Sequence, residues 1–369
     1  MYCNVALPTP LRQAQCVLYK DELIICGGAL QKDCYSYHTI KNEYKFICKY
    51  PTNVKLDGHC VVKLIGNNKN SNEITLLSFG GWIKHTLVMK YVSVWSNDNE
   101  MNKSEKSINY NRWVPFTDNK NHPVNIGGYQ DSYIGVHALI GGSNNHLLFI
   151  TYLVNNISVF DLNTFQFIKH DKLPTGYIKD NCFVSKSENG QEMMRTNKEK
   201  NNKIYEMLLF CKNTGLSIEY DEDNNTFKSY PISVCDDIAP FYHYAYARIN
   251  DIILFFGGWS DIKRFASKSV YKYSIQEKKW MAFQNALPSA LYNCIAIPNE
   301  ENTYIHIIGG GYDENSALAI HMKTKVRVWD PLQLSKSEIK FVIQYWIRTS
   351  KIKLVWVYDL DKFIFKYSK

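Results

Sequence analysis

The stretch from Tyr242 to Pro288 decides the fold, and its centre reads IILFFGGW at residues 252–259. An apolar run that ends at Ile249 comes before it, and two short apolar and aromatic runs follow at residues 269–273 and 279–283. Runs of this length, rich in β-branched and aromatic residues and separated by turn residues, predict four short strands. The segments between them are too short to hold an ordinary helix.

Two features of this stretch have a structural reason. Gly257-Gly258 ends the second strand, where residues that lack a Cβ and readily adopt positive φ allow a sharp turn beneath a closely packed neighbour. Trp280 opens the fourth strand as a bulky anchor that packs one sheet on the next. The diglycine, the tyrosine-rich third strand and the aromatic residue of the fourth together resemble the kelch repeat, whose period is near 50 residues. Each kelch repeat forms one four-stranded blade of a β-propeller.

The same pattern recurs six times along the chain. The diglycine is present in four repeats, at Gly27-Gly28, Gly80-Gly81, Gly257-Gly258 and Gly309-Gly310. Other clear strand predictions are residues 15–19, 59–64, 147–152 and 304–308, and the third strand of the second repeat is predicted at 89–95. Repeats three and four lack the motif, and Gly141-Gly142 is predicted to be a turn between strands one and two of repeat three.

The two ends of the repeat array complement each other. Residues Met1 to Leu7 form one isolated strand, and the sixth repeat has no fourth strand. We expect these seven residues to pair with the third strand of blade six, because closing the ring removes its open edges. The predicted fold is therefore all-β: a six-bladed kelch-type β-propeller over residues 1–331, closed by its N-terminal strand, with a short helical tail at 332–369.

The tail is predicted to be amphipathic and basic. Ser335 and Glu338 have the spacing of a capping box. Apolar residues then recur at helical spacing in two stripes, the first formed by Ile339, Val342, Ile343, Trp346 and Ile347, and the second by Trp356, Leu360, Phe363, Ile364 and Tyr367. The stripes can pack on the propeller, on each other or on a partner, and the first of these arrangements is preferred.

The composition of the chain indicates the cellular compartment in which the protein is expected. No apolar run approaches the eighteen residues of a membrane-spanning helix, and no secretory signal is visible at the N-terminus. The ten cysteines include no C-x-x-C pair and lie mostly in apolar, strand-like runs. Because a free thiol in such a run behaves as a small hydrophobic group, we expect reduced cysteines and a cytoplasmic protein.

The charge distribution argues against nucleic acid as a partner. Residues 336–369 hold eight basic and three acidic residues, so the tail carries +5 of the formal net charge of +8. The propeller region is then close to neutral, whereas a nucleic-acid surface needs a basic patch. The basic tail is interpreted as a solvated helical face rather than as a patch for nucleic acid or membrane.

The catalytic motifs of common enzyme classes are missing from the sequence. It contains no P-loop, no G-x-S-x-G, no H-E-x-x-H and no Cys/His set with metal-ligand spacing. A copper-radical site would need converging histidines and tyrosines, and Tyr242-His243-Tyr244 is unsuitable because successive strand residues point to opposite sides. Seven arginines are too few and too scattered to clamp a sialic acid carboxylate. We therefore expect no catalytic residue, no metal and no cofactor.

Further segments suggest a particular branch of the family. Residues 34–38, 160–167 and 322–330 resemble a large, uncharacterised protist group of kelch-motif proteins. That resemblance implies a propeller that serves as a protein-interaction module. The predicted function is thus a non-enzymatic scaffold or adaptor with one protein partner, no nucleic acid or membrane, and a monomeric propeller. The alternative is a propeller that binds a sugar or another small molecule, with possible enzymatic activity.

Topology predicts where a partner binds. In a four-stranded meander the loops after strands two and four emerge on one face, where the diglycines lie. Because exposed Trp and Arg often anchor interfaces, the candidate partner-binding residues on this face are Trp82, His85, Trp259, Arg264, Phe265 and Tyr312. The competing interpretation is that each tryptophan only packs over its own diglycine. Three polar inserts, 66–72, 96–111 and 185–203, belong to the other face and are expected to be loosely ordered.

Overall fold

A computed structural model describes residues 2–65, 72–96, 110–128, 130–186, 203–313 and 316–353, without the side chains of 2–4 and 348–353. The predicted looseness of the three polar inserts falls almost wholly on residues outside these ranges, and so does the second apolar stripe of the tail.

Six four-stranded antiparallel sheets follow one another as the blades of a β-propeller. Blade one consists of β2 (Gln15–Tyr19), β3 (Glu22–Gly28), β4 (Gln31–His38) and β5 (Glu43–Lys49), and blade two of β6 (His59–Leu64), β7 (Glu73–Gly80), β8 (His85–Val92) and β9 (Val114–Pro115). Blade three consists of β10 (His137–Gly141), β11 (Leu147–Tyr152), β12 (Asn156–Asp161) and β13 (Gln166–Lys172), and blade four of β14 (Cys182–Ser185), β15 (Ile204–Cys211), β16 (Thr214–Asp221) and β17 (Thr226–Pro231).

The last two blades complete the ring. Blade five consists of β18 (Ala245–Ile249), β19 (Ile252–Phe256), β22 (Val270–Ser274) and β23 (Lys279–Ala282), with a small hairpin of β20 (Trp259–Ser260) and β21 (Phe265–Ala266) in its second loop. Blade six consists of β24 (Ile295–Pro298), β25 (Tyr304–Ile308), β26 (Leu318–Lys325) and the N-terminal β1 (Tyr2–Leu11). The predicted bounds of β2, β6, β11, β19 and β25 are confirmed.

The N-terminal strand closes the ring as predicted. It pairs antiparallel with the third strand of blade six, from Tyr2 opposite Thr324 to Ala6 opposite Ile320, and an irregularity precedes the last pair. The strand is ten residues long, three more than expected, because it continues past Pro8 and Pro10 to the buried Leu11. The first and last parts of the propeller thus share one sheet.

The core lies between neighbouring blades. The second strand of blade five, β19, is buried along its whole length because blades pack against both of its faces. The predicted role of Trp280 is confirmed: its ring lies 5.2 Å from that of Phe210 in blade four. Its indole nitrogen also donates a hydrogen bond to Ser233 O at 2.8 Å. This residue therefore joins blade five to blade four.

After a short 3-10 turn at Val326–Val328 the chain forms helix α1, Lys336–Lys353. The predicted capping box is present: Ser335 N donates to Glu338 Oε2 at 2.8 Å, and Glu338 N donates to Ser335 Oγ at 3.2 Å. Within the described part of the chain no helix has both the length and the apolar character needed to cross a membrane.

The start of the helix is attached to the propeller. Lys336 N donates a hydrogen bond to the carbonyl oxygen of Glu301, which lies in the loop between strands one and two of blade six. Two residues of the first apolar stripe, Ile339 and Ile343, are buried. For this stripe the structure therefore supports packing on the propeller, the preferred one of the three arrangements.

Candidate functional site: the diglycine face

Two faces of the ring are distinguished by their loops. The diglycine face consists of the loops after strands two and four of each blade, and the opposite face consists of the loops after strands one and three together with the start of α1. The diglycine face contains Gly27-Gly28, Gly80-Gly81, Gly257-Gly258 and Gly309-Gly310.

Backbone hydrogen bonds at the diglycines connect blades two, five and six to the inter-blade loops on either side. In blade five Gly258 N donates to Leu291 O at 2.8 Å, in the loop towards blade six, and Trp259 N donates to Tyr242 O at 2.7 Å, in the loop from blade four. Blades two and six repeat this pair of bonds from Gly81 to Tyr133, Trp82 to Asp57, Gly310 to Leu11 and Gly311 to Tyr292. The loops of this face are therefore held at regular points.

The first glycine of the motif is required by the close approach of a loop. At Gly257 φ is +68°, and a Cβ there would lie 2.1 Å from Leu291 O. At Gly309 φ is +66°, and a Cβ would lie 2.5 Å from Leu11 O. Because other residues both avoid this conformation and carry the clashing atom, only glycine fits. This agrees with the reason for the motif that the sequence suggested.

Exposed large apolar side chains are frequent in the loops of the diglycine face. Eight of them lie there, in the loop after strand two of every blade except blade four and in the loop between blades three and four: Leu30, Trp82, Ile83, Val154, Tyr177, Ile262, Phe265 and Tyr312. Among the described turns that join two strands on the opposite face only Ile40 and Ile65 are comparable, whereas Leu332 is exposed before α1 and Phe341, Tyr345 and Trp346 are exposed on that helix. Scattered exposed apolar residues are normal, whereas their accumulation on one side of a protein is typical of an interaction surface.

Four of the six predicted partner-binding residues lie at the surface. Trp82 is 70% exposed, Tyr312 57% and Phe265 42%, and Arg264 is exposed as well. These residues come from blades two, five and six. They are spread around the rim of the face rather than gathered in a single patch.

The other two predicted residues point inward. Trp259 is only 7% exposed, and its ring packs 4.9 Å from that of Tyr292. His85 is the first residue of β8, which begins four residues earlier than predicted, and its Nε2 lies 2.8 Å from Ser78 Oγ. Burial lowers the pKa of His85 to about 4, so it stays neutral. Both side chains therefore pack beneath the surface of this face and are not available to a partner.

The sequence reasoning missed several exposed apolar residues of the face. Ile262 is 87% exposed in the hairpin loop of blade five, and Leu30 is 72% exposed in the turn after β3. The signal that could have found them is an apolar residue in a polar loop directly after a diglycine strand.

A cavity of about 160 Å³ lies on the axis of the ring, at the inner end of the diglycine face. All six blades contribute to it through the starts of their first strands and the loops before them: Gln13–Gln15, Gly58–His59, Gly135–His137, Asp180, His243–Tyr246 and Asn293–Ala296. A more open hollow of about 200 Å³ adjoins it and includes Arg12, Asp57, Lys179 and Asp261. The volume of the inner cavity is close to that of a ~150 Å³ engineered cavity that accepts benzene.

One carboxylate and three histidines determine the electrostatics of the cavity. Burial would raise the pKa of Asp180, but His243, whose Nδ1 lies 3.0 Å from Asp180 Oδ2, and then Lys179 and His137 lower it to about 2. Burial lowers the pKa of His137 to about 4 and that of His59 to about 3. The cavity thus contains an ionised carboxylate, and the imidazoles of His59 and His137 in its wall are neutral.

Two buried acceptors in the cavity wall have no partner. The Nε2 of His59 lies 3.0 Å from Cys26 O, so this nitrogen carries the proton and Nδ1 is left as an acceptor. Neither His59 Nδ1 nor Gln13 Oε1 has a hydrogen-bond partner. Buried polar atoms are normally satisfied. A small molecule with hydrogen-bond donors, including water, would fit here.

The residues considered for a copper site do not alternate as strand residues, because they precede β18: the rings of Tyr242 and His243 lie 4.2 Å apart, and Tyr244 is turned away from them. Tyr244 donates its hydroxyl proton to Phe210 O at 2.9 Å, whereas His243 faces Asp180 and the Tyr242 hydroxyl contacts Asp261. Within the described ranges no group of three or more His, Cys, Asp or Glu side chains is placed to hold a metal ion.

Comparison with known proteins supports the fold only. No protein-family profile and no curated protein sequence matches the chain. Among solved structures, one described as the structure of YjhT superposes with a TM-score of 0.55 and covers 87% of this chain and 97% of its own. The sequence identity is 13%. At that identity the likeness shows a shared propeller fold and carries no information about activity.

Proposed function

We propose that this chain is a kelch-type propeller, of the protist group that its sequence resembles, and that it acts as a non-enzymatic scaffold. It binds one protein partner through the diglycine face. The propeller is monomeric and cytoplasmic in this proposal, and its partner is neither a nucleic acid nor a membrane. The single observation that carries the proposal is the concentration of exposed large apolar side chains in the blade loops of the diglycine face.

The distribution of those residues fits a broad, rigid partner surface. They lie in loops that leave the blades all around the axis, and in blades two, five and six backbone bonds at the diglycines hold these loops. A preorganised surface loses little conformational entropy on binding. Interfaces commonly combine aromatic and aliphatic anchors with a polar rim, and Arg264 beside Phe265 provides such a combination.

The test compares two triple variants of the full chain in its native cell. The face variant changes Trp82, Ile262 and Phe265 to alanine. The control changes three exposed apolar residues away from that face: Ile40, Phe46 and Leu332, which are 69%, 51% and 88% exposed. Neither set is buried, so both variants should fold and melt close to the wild type.

We expect quantitative affinity purification to recover the principal partner at least ~10-fold less with the face variant than with the control, since anchor residues each contribute about 1–2 kcal/mol or more. Equal recovery by the two variants would contradict binding through the diglycine face. Loss of the partner in the control alone would move the interface to the outer edge or the opposite face.

The axial cavity favours the alternative function, binding of a sugar or another small polar molecule. Its size, the ionised Asp180 and the unsatisfied acceptors of His59 and Gln13 support this second proposal. A thermal-shift screen with small polar molecules, monosaccharides included, tests it on the wild type and on Asp180→Asn. A hit that stabilises the wild type and not the variant would favour the alternative. If the screen gives no hits and the face variant loses its partner, the results would support the scaffold function and contradict the alternative.

A further inference from the structure

Three thiols form a row across the sheet of blade one. Cys26 in β3 lies directly opposite Cys34 in β4, and Cys34 lies directly opposite Cys48 in β5. Directly opposed residues of an antiparallel pair project on the same side of the sheet. The middle thiol therefore has a thiol neighbour on each side.

The spacing of opposed residues suits a disulfide. Their Cα atoms lie about 4.5 Å or 5.5 Å apart, depending on the type of pair. A disulfide needs Cα atoms about 4.4–6.8 Å apart. The two outer thiols, Cys26 and Cys48, are two strands apart, at roughly 10 Å, and cannot be joined to each other.

The same spacing disfavours a metal site. A soft metal ion would need three sulfur ligands at about 2.3 Å, whereas the three strands hold these sulfurs in a line. Met89 Sδ lies 3.6 Å from Cys48 Sγ and prolongs the line. No metal-holding group of side chains is found within the described residues, and the row is better suited to chemistry between two sulfurs.

We propose that Cys34 and Cys48 form a reversible disulfide when the protein meets a peroxide. Cys48 is the thiol that reacts with the oxidant, and Cys34 is the resolving thiol. The site is independent of the partner-binding face. It makes the interface between blades one and two, where both thiols lie, a place of oxidative modification.

The assignment of roles follows from exposure. Cys34 and Cys26 are fully buried, whereas Cys48 is only partly buried in the outermost strand of the blade. A small oxidant therefore reaches Cys48 first. The register between β4 and β5 shifts immediately beside the Cys34–Cys48 pair, and such an irregularity lets the backbone adjust as the sulfurs approach.

The surroundings of Cys34 suit a resolving thiol. The Trp113 indole N–H donates to Cys34 Sγ at 3.4 Å. Burial raises the pKa of Cys34, but side-chain hydrogen bonds with Cys26, Cys48 and Trp113 lower it below the usual value. The pKa of Cys48 is raised, chiefly by its hydrogen bond to Cys34. A donor beside the Cys34 sulfur stabilises the charge that this sulfur gains as it becomes the nucleophile of the second step.

The reaction balances with one peroxide per disulfide. The Cys48 sulfur attacks a peroxide oxygen, the O–O bond breaks, and the leaving hydroxide takes the Cys48 proton as water. The sulfenic acid on Cys48 is then attacked by the Cys34 sulfur, the S–O bond breaks, and the departing hydroxide takes the Cys34 proton as water. The two sulfurs give up two electrons to the peroxide. A small thiol reverses the bond by exchange.

The sequence allows the product to be identified directly. Trypsin cleaves after Lys20, Lys32, Lys41, Lys45 and Lys49, so the three cysteines fall on separate peptides, residues 21–32, 33–41 and 46–49. The full-length protein is treated with hydrogen peroxide, free thiols are alkylated, and the digest is analysed by mass spectrometry without reduction. We expect peptide 33–41 joined to peptide 46–49, with two hydrogens lost and with recovery of both peptides on addition of dithiothreitol.

Variants separate the roles of the thiols. Cys48→Ser changes the partly exposed thiol and should fold like the wild type, yet lose the link and leave Cys34 unoxidised. Cys26→Ser should keep the link, and so should Cys60→Ser, which changes a buried thiol that lies opposite Phe79 and has no thiol across from it. Melting curves recorded before oxidation confirm that each variant is folded.

Two results would overturn the proposal. One is the absence of the 33–41 to 46–49 link at a peroxide dose that oxidises other cysteines of the chain. The other is a link between peptides 21–32 and 33–41 that forms equally fast in Cys48→Ser, since Cys34 would then react without Cys48.

Discussion

The diglycine face and the opposite face are formed by the same strands, but their turns differ in chemistry. Turns of the opposite face repeatedly place asparagine at positive φ: Asn42, Asn145, Asn225, Asn250 and Asn302. Asparagine tolerates this conformation and stays polar, so these hairpins are short and hydrophilic. The diglycine face instead places glycine at positive φ, beneath loops that carry exposed apolar side chains.

The difference indicates that the two faces of the propeller have different structural roles. Polar hairpins on the opposite face close each blade and receive the start of the C-terminal helix, through Glu301 and the buried Ile339. Loops on the diglycine face cross between blades and surround the axial cavity. The first set mainly holds the ring together, and the second presents side chains outward. Substitution of a buried side chain should therefore lower the stability of the fold, whereas substitution of an exposed side chain in a loop of the diglycine face should change partner binding and leave stability nearly unchanged.

The largest effect is expected from opening the ring on which both faces depend. Deleting residues 1–7 removes most of β1 from blade six and exposes a row of unpaired backbone groups on β26. Leu7, which is 5% exposed, leaves the core at the same time. We expect a fall in the melting temperature well beyond that of the point variant Leu7→Ala, which alone should cost about 2–4 kcal/mol. A deletion that melts like the wild type would disprove closure by this strand.

Acid should weaken the ring through buried histidines. His59, His306 and His321 are at most 1% exposed, and burial lowers the pKa of each to about 3. Since the unfolded value is about 6.5, the unfolded chain takes up protons first, and stability falls as the pH drops from 6.5 towards 3. At pH 5 the loss is about 2 kcal/mol for each histidine.

Chemical denaturation at several pH values measures this slope. His306 Nδ1 lies 2.8 Å from His321 Nε2, and His321 also contacts the Tyr44 hydroxyl. Replacing both histidines by glutamine should flatten the slope between pH 6.5 and 5, even if it lowers stability at pH 7. An unchanged slope would show that this pair takes up no extra protons on unfolding.

Two tryptophans at the same motif position distinguish recognition from stability. Trp82 and Trp259 each follow a diglycine, yet Trp82 is 70% and Trp259 7% exposed. We expect Trp259→Ala to lower the free energy of unfolding by about 3–5 kcal/mol, and Trp82→Ala to change it by less than about 0.5 kcal/mol. Denaturant titration compares them. Similar free energies of unfolding for the two variants would show that the two tryptophans do not differ in their contribution to stability.

Two glycines of the diglycine face offer a smaller and sharper contrast. Gly257→Ala places a methyl group 2.1 Å from Leu291 O at a φ of +68° and should cost about 2–4 kcal/mol. Gly176, in the loop between blades three and four, has nothing within 4 Å of the added Cβ. Gly176→Ala should be neutral or stabilise by up to about 1 kcal/mol. Thermal melts of both variants test whether close loop crossing, rather than loop position, requires glycine.

Most of the fold could be predicted because its signals are local. Strands such as β19 are continuous apolar runs bounded by turn residues, and the capping box of α1 is a four-residue pattern. Closure by the N-terminal strand also followed, since an unpaired strand at one end matched a missing strand at the other. The predicted third strand of blade two failed by four residues, because the tight turn at Gly80-Gly81 lets pairing resume at His85.

The candidate site could be predicted only in part. Topology identified the face, and four of the six named residues are exposed there. The sequence alone could not distinguish Trp82 from Trp259, because burial depends on a neighbour from another blade, Tyr292. The exposed Ile262 was overlooked for the same reason: an apolar residue in a loop can cover a core or face solvent.

The amino-acid sequence by itself determined the repeat, the strand order and the positions that require glycine, because these depend on side-chain periodicity and on backbone sterics within a few residues. Only the tertiary structure decided which loop residues reach solvent, how first strands from six blades enclose the polar cavity around Asp180, and how Cys34 and Cys48 come to face each other. Those properties arise from contacts between segments that are far apart in the sequence or whose pairing depends on strand register. Neither the packing of blades nor the register of strands can be read from a local sequence pattern.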